Sequence, residues 1–188
     1  MLNFVEILLS IMIQVLDLKF KEYISAEQIQ ARVREIAEEL NTKYSGKNPL
    51  FLGILNGSFM FIADIFKNVN IPCEVSFLKI NSYQDTSSTE KIKELIGLNQ
   101  SIEGRHVIIL EDIVDTGRTL DYILRTVQAQ KPASVEVATL LYKPSATIIP
   151  VPIHYVGFEI ENQFVLGYGL DYNGYGRNSN SILIKVDE

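Results

Sequence analysis

Cysteine is almost missing from this chain. Cys73 stands alone among 188 residues, so no intramolecular disulfide and no cysteine-based metal site can form. The two histidines, His106 and His154, are too few and too far apart for a zinc motif. Basic residues are in the minority: 17 Lys and Arg against 23 Asp and Glu leave a net charge of −6. That balance argues against a protein that grips nucleic acid through a general basic surface. Internal repeats and low-complexity tracts are absent. The apolar start, "MLNFVEILLSIMIQVL", is shorter than the roughly 20 residues a membrane span needs. It lacks the positive n-region and small-residue cleavage site of a signal peptide and carries Glu6. We read residues 1–18 as an arm packed on the domain or on a partner subunit, with Met12 as an alternative start.

What remains is enough for one globular domain in a reducing, cytoplasmic setting, with no membrane or nucleic-acid partner. Ser25 to Asn41 has a helical stripe, Ile29, Val33, Ile36, Ala37 and Leu40, opened by a Ser25–Gln28 capping box. "PLFLGIL" (Pro49 to Leu55) is apolar throughout, as a strand buried on both faces must be. The turn Asn56 to Ser58 and a short helix, Phe59 to Phe66, follow. Cys73 to Ile80 alternates as a strand, with Val75, Phe77 and Leu78 inward. The polar stretch Asn81 to Lys91 has no hydrophobic period and suits a surface loop. "HVIIL" (His106 to Leu110), a helix carrying Leu120, Ile123, Leu124 and Val127, and "SVEVATLLY" (Ser134 to Tyr142) form a βαβ unit. The sheet is therefore parallel and its crossover right-handed. From Pro144 on, three prolines (Pro144, Pro150 and Pro152) and short β-like pieces imply a small irregular or β subdomain.

The chemistry concentrates in "VIILEDIVDTGRTL", Val107 to Leu120. In an open parallel sheet, ligands bind beyond the carboxyl ends of the strands. Thr116, Gly117, Arg118 and Thr119 open a helix there. They offer backbone N–H groups, a favourable dipole, hydroxyl donors and a positive charge to a phosphate. The pattern is not GxxxxGK[ST], which disfavours a nucleoside-triphosphate hydrolase. Glu111, Asp112 and Asp115 would repel a phosphate. They suit the other half of a sugar phosphate, because carboxylates accept from a ribose diol and hold Mg²⁺ directly or through water. Asp115 falls nearest whatever the sugar carries at its reactive carbon.

This stretch resembles the ribose-phosphate signature of type I phosphoribosyltransferases, most of all the hypoxanthine-guanine enzymes. "LNGS" (Leu55 to Ser58) is similar to the family's pyrophosphate loop, with Asn56 where Lys is frequent and Gly57 following. "NSYQDTSSTE" resembles a flexible lid with its Ser82–Tyr83 pair, and "LLYK" the strand whose lysine, here Lys143, donates to a purine 6-oxygen. "VGFEIENQFVLGYGLDYNGYGR" resembles the purine-binding hood. The resemblance covers most of the chain from about Lys19. It implies an α/β parallel sheet flanked by helices, spanning residues 19–188, with a small C-terminal hood formed mainly by about 144–188.

It also implies roles. Phe164 would stack on the purine, Val165 would offer backbone hydrogen bonds, and Lys143 would select 6-oxopurines over adenine. Asp171 would hold Mg²⁺ directly or through water, near the base, alongside Glu111 and Asp112. Arg177, with Asn56 and Gly57, would hold pyrophosphate. The implied reaction transfers ribose 5-phosphate from phosphoribosyl pyrophosphate to hypoxanthine, and guanine, through an oxocarbenium-like transition state, with Asp115 as general base. The implied assembly is a homodimer or homotetramer. Two other readings compete: a nucleotide-sensing, RNA-binding regulator on the same fold, and a transferase for xanthine or another base.

Overall fold

A computed structural model describes residues 12–83, 91–96, 98 and 100–186; for 81–83 and 91–96 it describes the backbone alone. In chain order the strands and helices are β1 (Ile13–Val15), β2 (Leu18–Ile24), α1 (Ala26–Tyr44), β3 (Leu50–Leu55), α2 (Phe59–Asn68), β4 (Glu74–Tyr83) and β5 (Lys91–Ile96). β6 (His106–Val114), α3 (Arg118–Gln128), β7 (Ser134–Tyr142), β8 (Tyr155–Glu159), β9 (Val165–Leu166) and β10 (Ile182–Lys185) follow.

The large sheet has the order β5-β4-β3-β6-β7-β8. Its neighbours run parallel from β4 to β8, and only the β4–β5 pair is antiparallel. Leu50, Phe51 and Leu52 of β3 and Val107 to Leu110 of β6 are fully buried, as central strands covered on both faces must be. α1 and α2 cover one face of the sheet and α3 the other, giving two cores. A second sheet, β1-β2-β10-β9, is antiparallel and takes strands from both ends of the chain.

α1 begins where the sequence places it: the Ser25 side chain accepts from the Gln28 N–H at 3.3 Å, and Gln28 Oε1 accepts from the Ser25 N–H at 2.9 Å. Three elements, α1, β6 and β4, differ from the sequence reading. α1 extends to Tyr44, whose ring closes its core face. β6 runs on through Glu111 and Asp112 to Val114, because Ile113 and Val114 keep the ladder with Leu141 and Tyr142 of β7. The carboxylates thus stand on the end of a strand, not in a loop. Of the three β4 residues read as inward only Leu78 is buried; Val75 and Phe77 are 42% and 38% exposed. They line an apolar surface depression of about 320 Å³ with Leu55, Phe59 and Phe66. Lastly, Asn81, Ser82 and Tyr83 belong to β4, paired with Lys93, Ile92 and Lys91 of β5. A regular antiparallel ladder therefore occupies both ends of the expected loop, and residues 84–90 lie outside the described residues.

The capping box yields a direct test. Ser25→Ala should cost about 1 kcal/mol of stability, read as a lower denaturant midpoint at unchanged slope. An unchanged midpoint would show that the cap contributes nothing.

Candidate active site

Three parallel strands, β3, β6 and β7, end side by side, and each places one of the expected site segments at its carboxyl end. Asn56, Gly57 and Ser58 follow β3; the Leu55–Asn56 peptide is cis. Asp115, Thr116 and Gly117 follow β6, and Lys143 follows β7.

The turn after β6 works because Gly117 has φ +81° and caps α3. A Cβ there would also sit 2.1 Å from the Ile149 carbonyl oxygen. The Thr116 carbonyl accepts from the N–H groups of Ile148 and Ile149, both at 3.0 Å, which ties the turn to the chain after β7. A cavity of about 230 Å³ opens over it, lined by Glu111, Asp112, Asp115, Thr116, Gly117 and Thr119 among others. The first-turn N–H groups of α3 have no partner earlier in the helix and bring the positive end of its dipole to this place. Arg118, expected in the cradle, is exposed and does not line the cavity.

The electrostatics are unusual. Glu111 is 7% exposed, and its Oε2 is buried with no hydrogen-bond partner. Burial, and then the Asp112 charge, push its carboxyl well above the usual range. Burial also pushes Asp112 up to about 6, although the Ile113 N–H and the Arg177 charge pull against it. Among the described residues no three His, Cys, Asp or Glu side chains form a group able to hold a metal ion by themselves. An orphaned carboxylate oxygen beside a second carboxylate is nevertheless the donor chemistry of a hard divalent cation that keeps water or substrate oxygens.

Around this core the other expected residues fall into two groups. Lys143 is 7% exposed and its Nζ lies 3.5 Å from Asp115 Oδ2. Gly57 lies against Asp112 so closely that a Cβ would be 1.5 Å from Oδ2. Arg177 Nη2 pairs with Asp171 Oδ1 at 2.6 Å, and Asp171 Oδ2 accepts from the Gly174 N–H at 2.6 Å. Phe164 stands apart on the small sheet, 42% exposed. Its ring centroid is 6.1 Å from that of Phe20 and 5.7 Å from that of Tyr172. Val165 beside it is buried and paired with Ile184 of β10.

Sequence reasoning missed Phe20, Tyr172 and the buried Asp64. Asp64 carried a signal: it is an acid on the same helical face as Phe61 and Ile65, where an unpaired charge is untenable.

A parallel α/β domain with a helix N-terminus and a carboxylate pair meeting in one cavity beyond its central strand is of a class suited to phosphorylated sugars or nucleotides. Comparison with known proteins narrows this. The phosphoribosyl transferase domain model matches residues 21–173, and the chain belongs to that family. It is 40% identical over 159 residues to a hypoxanthine-guanine phosphoribosyltransferase of Bacillus subtilis, covering 84% of this chain and 88% of that one. It is 42% identical over 159 residues to a bifunctional TilS/HprT protein of Listeria monocytogenes. The match covers 84% of this chain but only 24% of that protein, so the chain spans about a quarter of its length. A crystal structure of a hypoxanthine phosphoribosyltransferase from Staphylococcus aureus superposes with a TM-score of 0.85 at 36% identity, covering 90% of this chain and 92% of that one. The fold is that of the type I phosphoribosyltransferases.

The raised Asp112 carboxyl has a consequence for stability. The folded protein binds this proton more tightly than the unfolded chain does, so Asp112 is fully tolerated only at low pH. Its charge destabilises the fold as pH rises through about 6. Asp112→Asn should therefore melt a few degrees above the parent at about pH 7, with the gap shrinking below about pH 5. A gap independent of pH would refute this assignment.

Proposed function

We propose that this chain is a hypoxanthine phosphoribosyltransferase of purine salvage. It moves ribose 5-phosphate from phosphoribosyl pyrophosphate to hypoxanthine, and to guanine, releasing pyrophosphate. The observation that carries this reading is the meeting of a helix N-terminus and two adjacent carboxylates, Glu111 buried and Asp112 half-buried, in one cavity, with the buried Lys143 3.5 Å from Asp115 beside it. A sugar phosphate has an anionic end and a diol end, and no simpler ligand uses both.

In this reading the 5-phosphate sits on Thr116 to Thr119, and Glu111 and Asp112 face the ribose hydroxyls. These two carboxylates, with Asp171, would hold Mg²⁺, which when bound supplies positive charge to the departing pyrophosphate. Gly57 and Arg177 bind that pyrophosphate, and Asn56 contributes its backbone in place of a lysine charge. Phe164 stacks on the purine and Val165 meets its edge. Lys143 donates to the 6-oxygen, which rejects adenine because its 6-amino group is itself a donor. Asp115 takes the proton from the purine nitrogen as the new bond forms, and its contact with Lys143 holds it aimed at the base. The small sheet serves as the hood. No helix among the described residues is long and apolar enough to cross a membrane, and we place the enzyme in the cytoplasm. A homodimer or homotetramer belongs to the same proposal. A second copy would cover the exposed apolar face of Phe59, Val75 and Phe77, which lies just past the pyrophosphate loop.

The test is a purine panel with phosphoribosyl pyrophosphate and Mg²⁺, followed by chromatography. Product from hypoxanthine or guanine but not adenine is expected; silence across the panel contradicts the proposal. Within an active enzyme, Asp115→Asn should lower turnover by roughly 10² to 10⁴ while binding of phosphoribosyl pyrophosphate changes little. Equal turnover in mutant and parent would remove Asp115 from the mechanism.

A further inference from the structure

The segment between β9 and β10 makes a buried contact with α2 that neither role above uses. Gly167, Tyr168 and Gly169 are three consecutive residues with positive φ, of +99°, +49° and +103°. Tyrosine rarely adopts this left-handed backbone, which an L side chain enters at a cost. The conformation carries Tyr168 inward, where it is 1% exposed. Its hydroxyl donates to Asp64 Oδ2 of α2 at 2.6 Å. The Asp64 carboxylate also accepts from Gln30 of α1 and, at 2.7 Å, from Lys67. Burial pushes the Asp64 carboxyl up, but the bonds from Lys67, Tyr168 and Gln30 outweigh it and leave it below its usual range. Asp64 is thus a charged acceptor with several donors, the stronger kind of hydrogen bond.

The residue after Tyr168 bears on pyrophosphate. Gly169 lies flat on the loop: a Cβ there would be 1.9 Å from the Gly57 carbonyl oxygen. The Gly169 carbonyl accepts from Arg177 Nη1 at 2.7 Å, and its N–H donates to the Arg177 carbonyl at 2.9 Å. One residue beyond the Tyr168 ring, the chain therefore touches Gly57 and both ends of Arg177. α2, which carries Asp64, is also the helix that Gly57 and Ser58 lead into.

We propose that the Tyr168–Asp64 hydrogen bond is a positioning device that locks the hood to α2 and so sets Gly57 and Arg177 at the spacing pyrophosphate requires. It acts on the pyrophosphate half of the site and not on the purine half, since Phe164 and Lys143 are held by other contacts, to Phe20 and Tyr172 and to Asp115. The inference rests on the phosphoribosyltransferase reading and adds two residues to its specificity for the pyrophosphate-bearing substrate.

Steady-state kinetics of the full chain test it. Y168F deletes one hydroxyl and keeps the ring. It should raise KM for phosphoribosyl pyrophosphate roughly tenfold, the weight of one hydrogen bond to a charged acceptor, with KM for hypoxanthine within about twofold. D64N keeps an oxygen for Tyr168 and should lose less than D64L; if D64L does not fold, Y168F carries the test alone. Y168F kinetics equal to the parent, or both KM values rising together with a fall in Tm, would overturn the inference. An inactive parent contradicts the proposed function, and this inference with it. An active parent with unaltered Y168F contradicts the inference only.

Discussion

A buried parallel strand that ends in two adjacent carboxylates is the constraint on which the rest of this structure turns. β6 is sealed on both faces as far as Leu110, and then delivers Glu111 and Asp112 into a place where water cannot fully solvate them. Such a pair is unfavourable by itself, because each charge raises the proton affinity of its neighbour. The surroundings answer with positive potential from several directions. The N-terminus of α3 lies just beyond, Arg177 between β9 and β10 acts on Asp112, and Lys143 sits beside Asp115. One carboxylate oxygen is left unpartnered. A site arranged in this way favours a ligand that brings hydroxyl donors and a cation to the carboxylates and an anion to the helix.

Glycines make that arrangement compact. Gly57 admits the Asp112 carboxylate, and Gly169 admits the Gly57 carbonyl, so β6, the turn before α2 and the hood stack through two positions where any side chain would collide. The small sheet is therefore not a separate flap. It is fastened to the sheet domain through Tyr168 and Asp64 and through the shared core of Ile24, Val165 and Ile184.

Much of this was legible in the sequence because it follows from local rules. The capping box of α1, the apolar runs of β3 and β6, and the period of α3 each report a burial pattern that a short window contains. That Glu111, Asp112, Asp115, Thr116, Gly117 and Thr119 share one cavity was legible for the same reason, because they are contiguous. Illegible features were those decided by distant partners. Val75 and Phe77 alternate as core residues do, yet their face of β4 opens on a surface shared with α2. "NSY" has loop composition, and only pairing with β5 makes it strand. The small sheet needs β2 beside β10, a contact across almost the whole chain. Tyr168 and Asp64 lie 104 residues apart, and nothing near either names the other.

The central claim is that one sugar phosphate accounts for both the cradle and the carboxylates. A crystal structure with ribose 5-phosphate and Mg²⁺ tests it most directly. The account predicts the phosphate within hydrogen-bond reach of the N–H groups of Thr116 to Thr119 and the ribose hydroxyls facing Glu111 and Asp112. A phosphate bound elsewhere, or a sugar turned away from the two carboxylates, would contradict it.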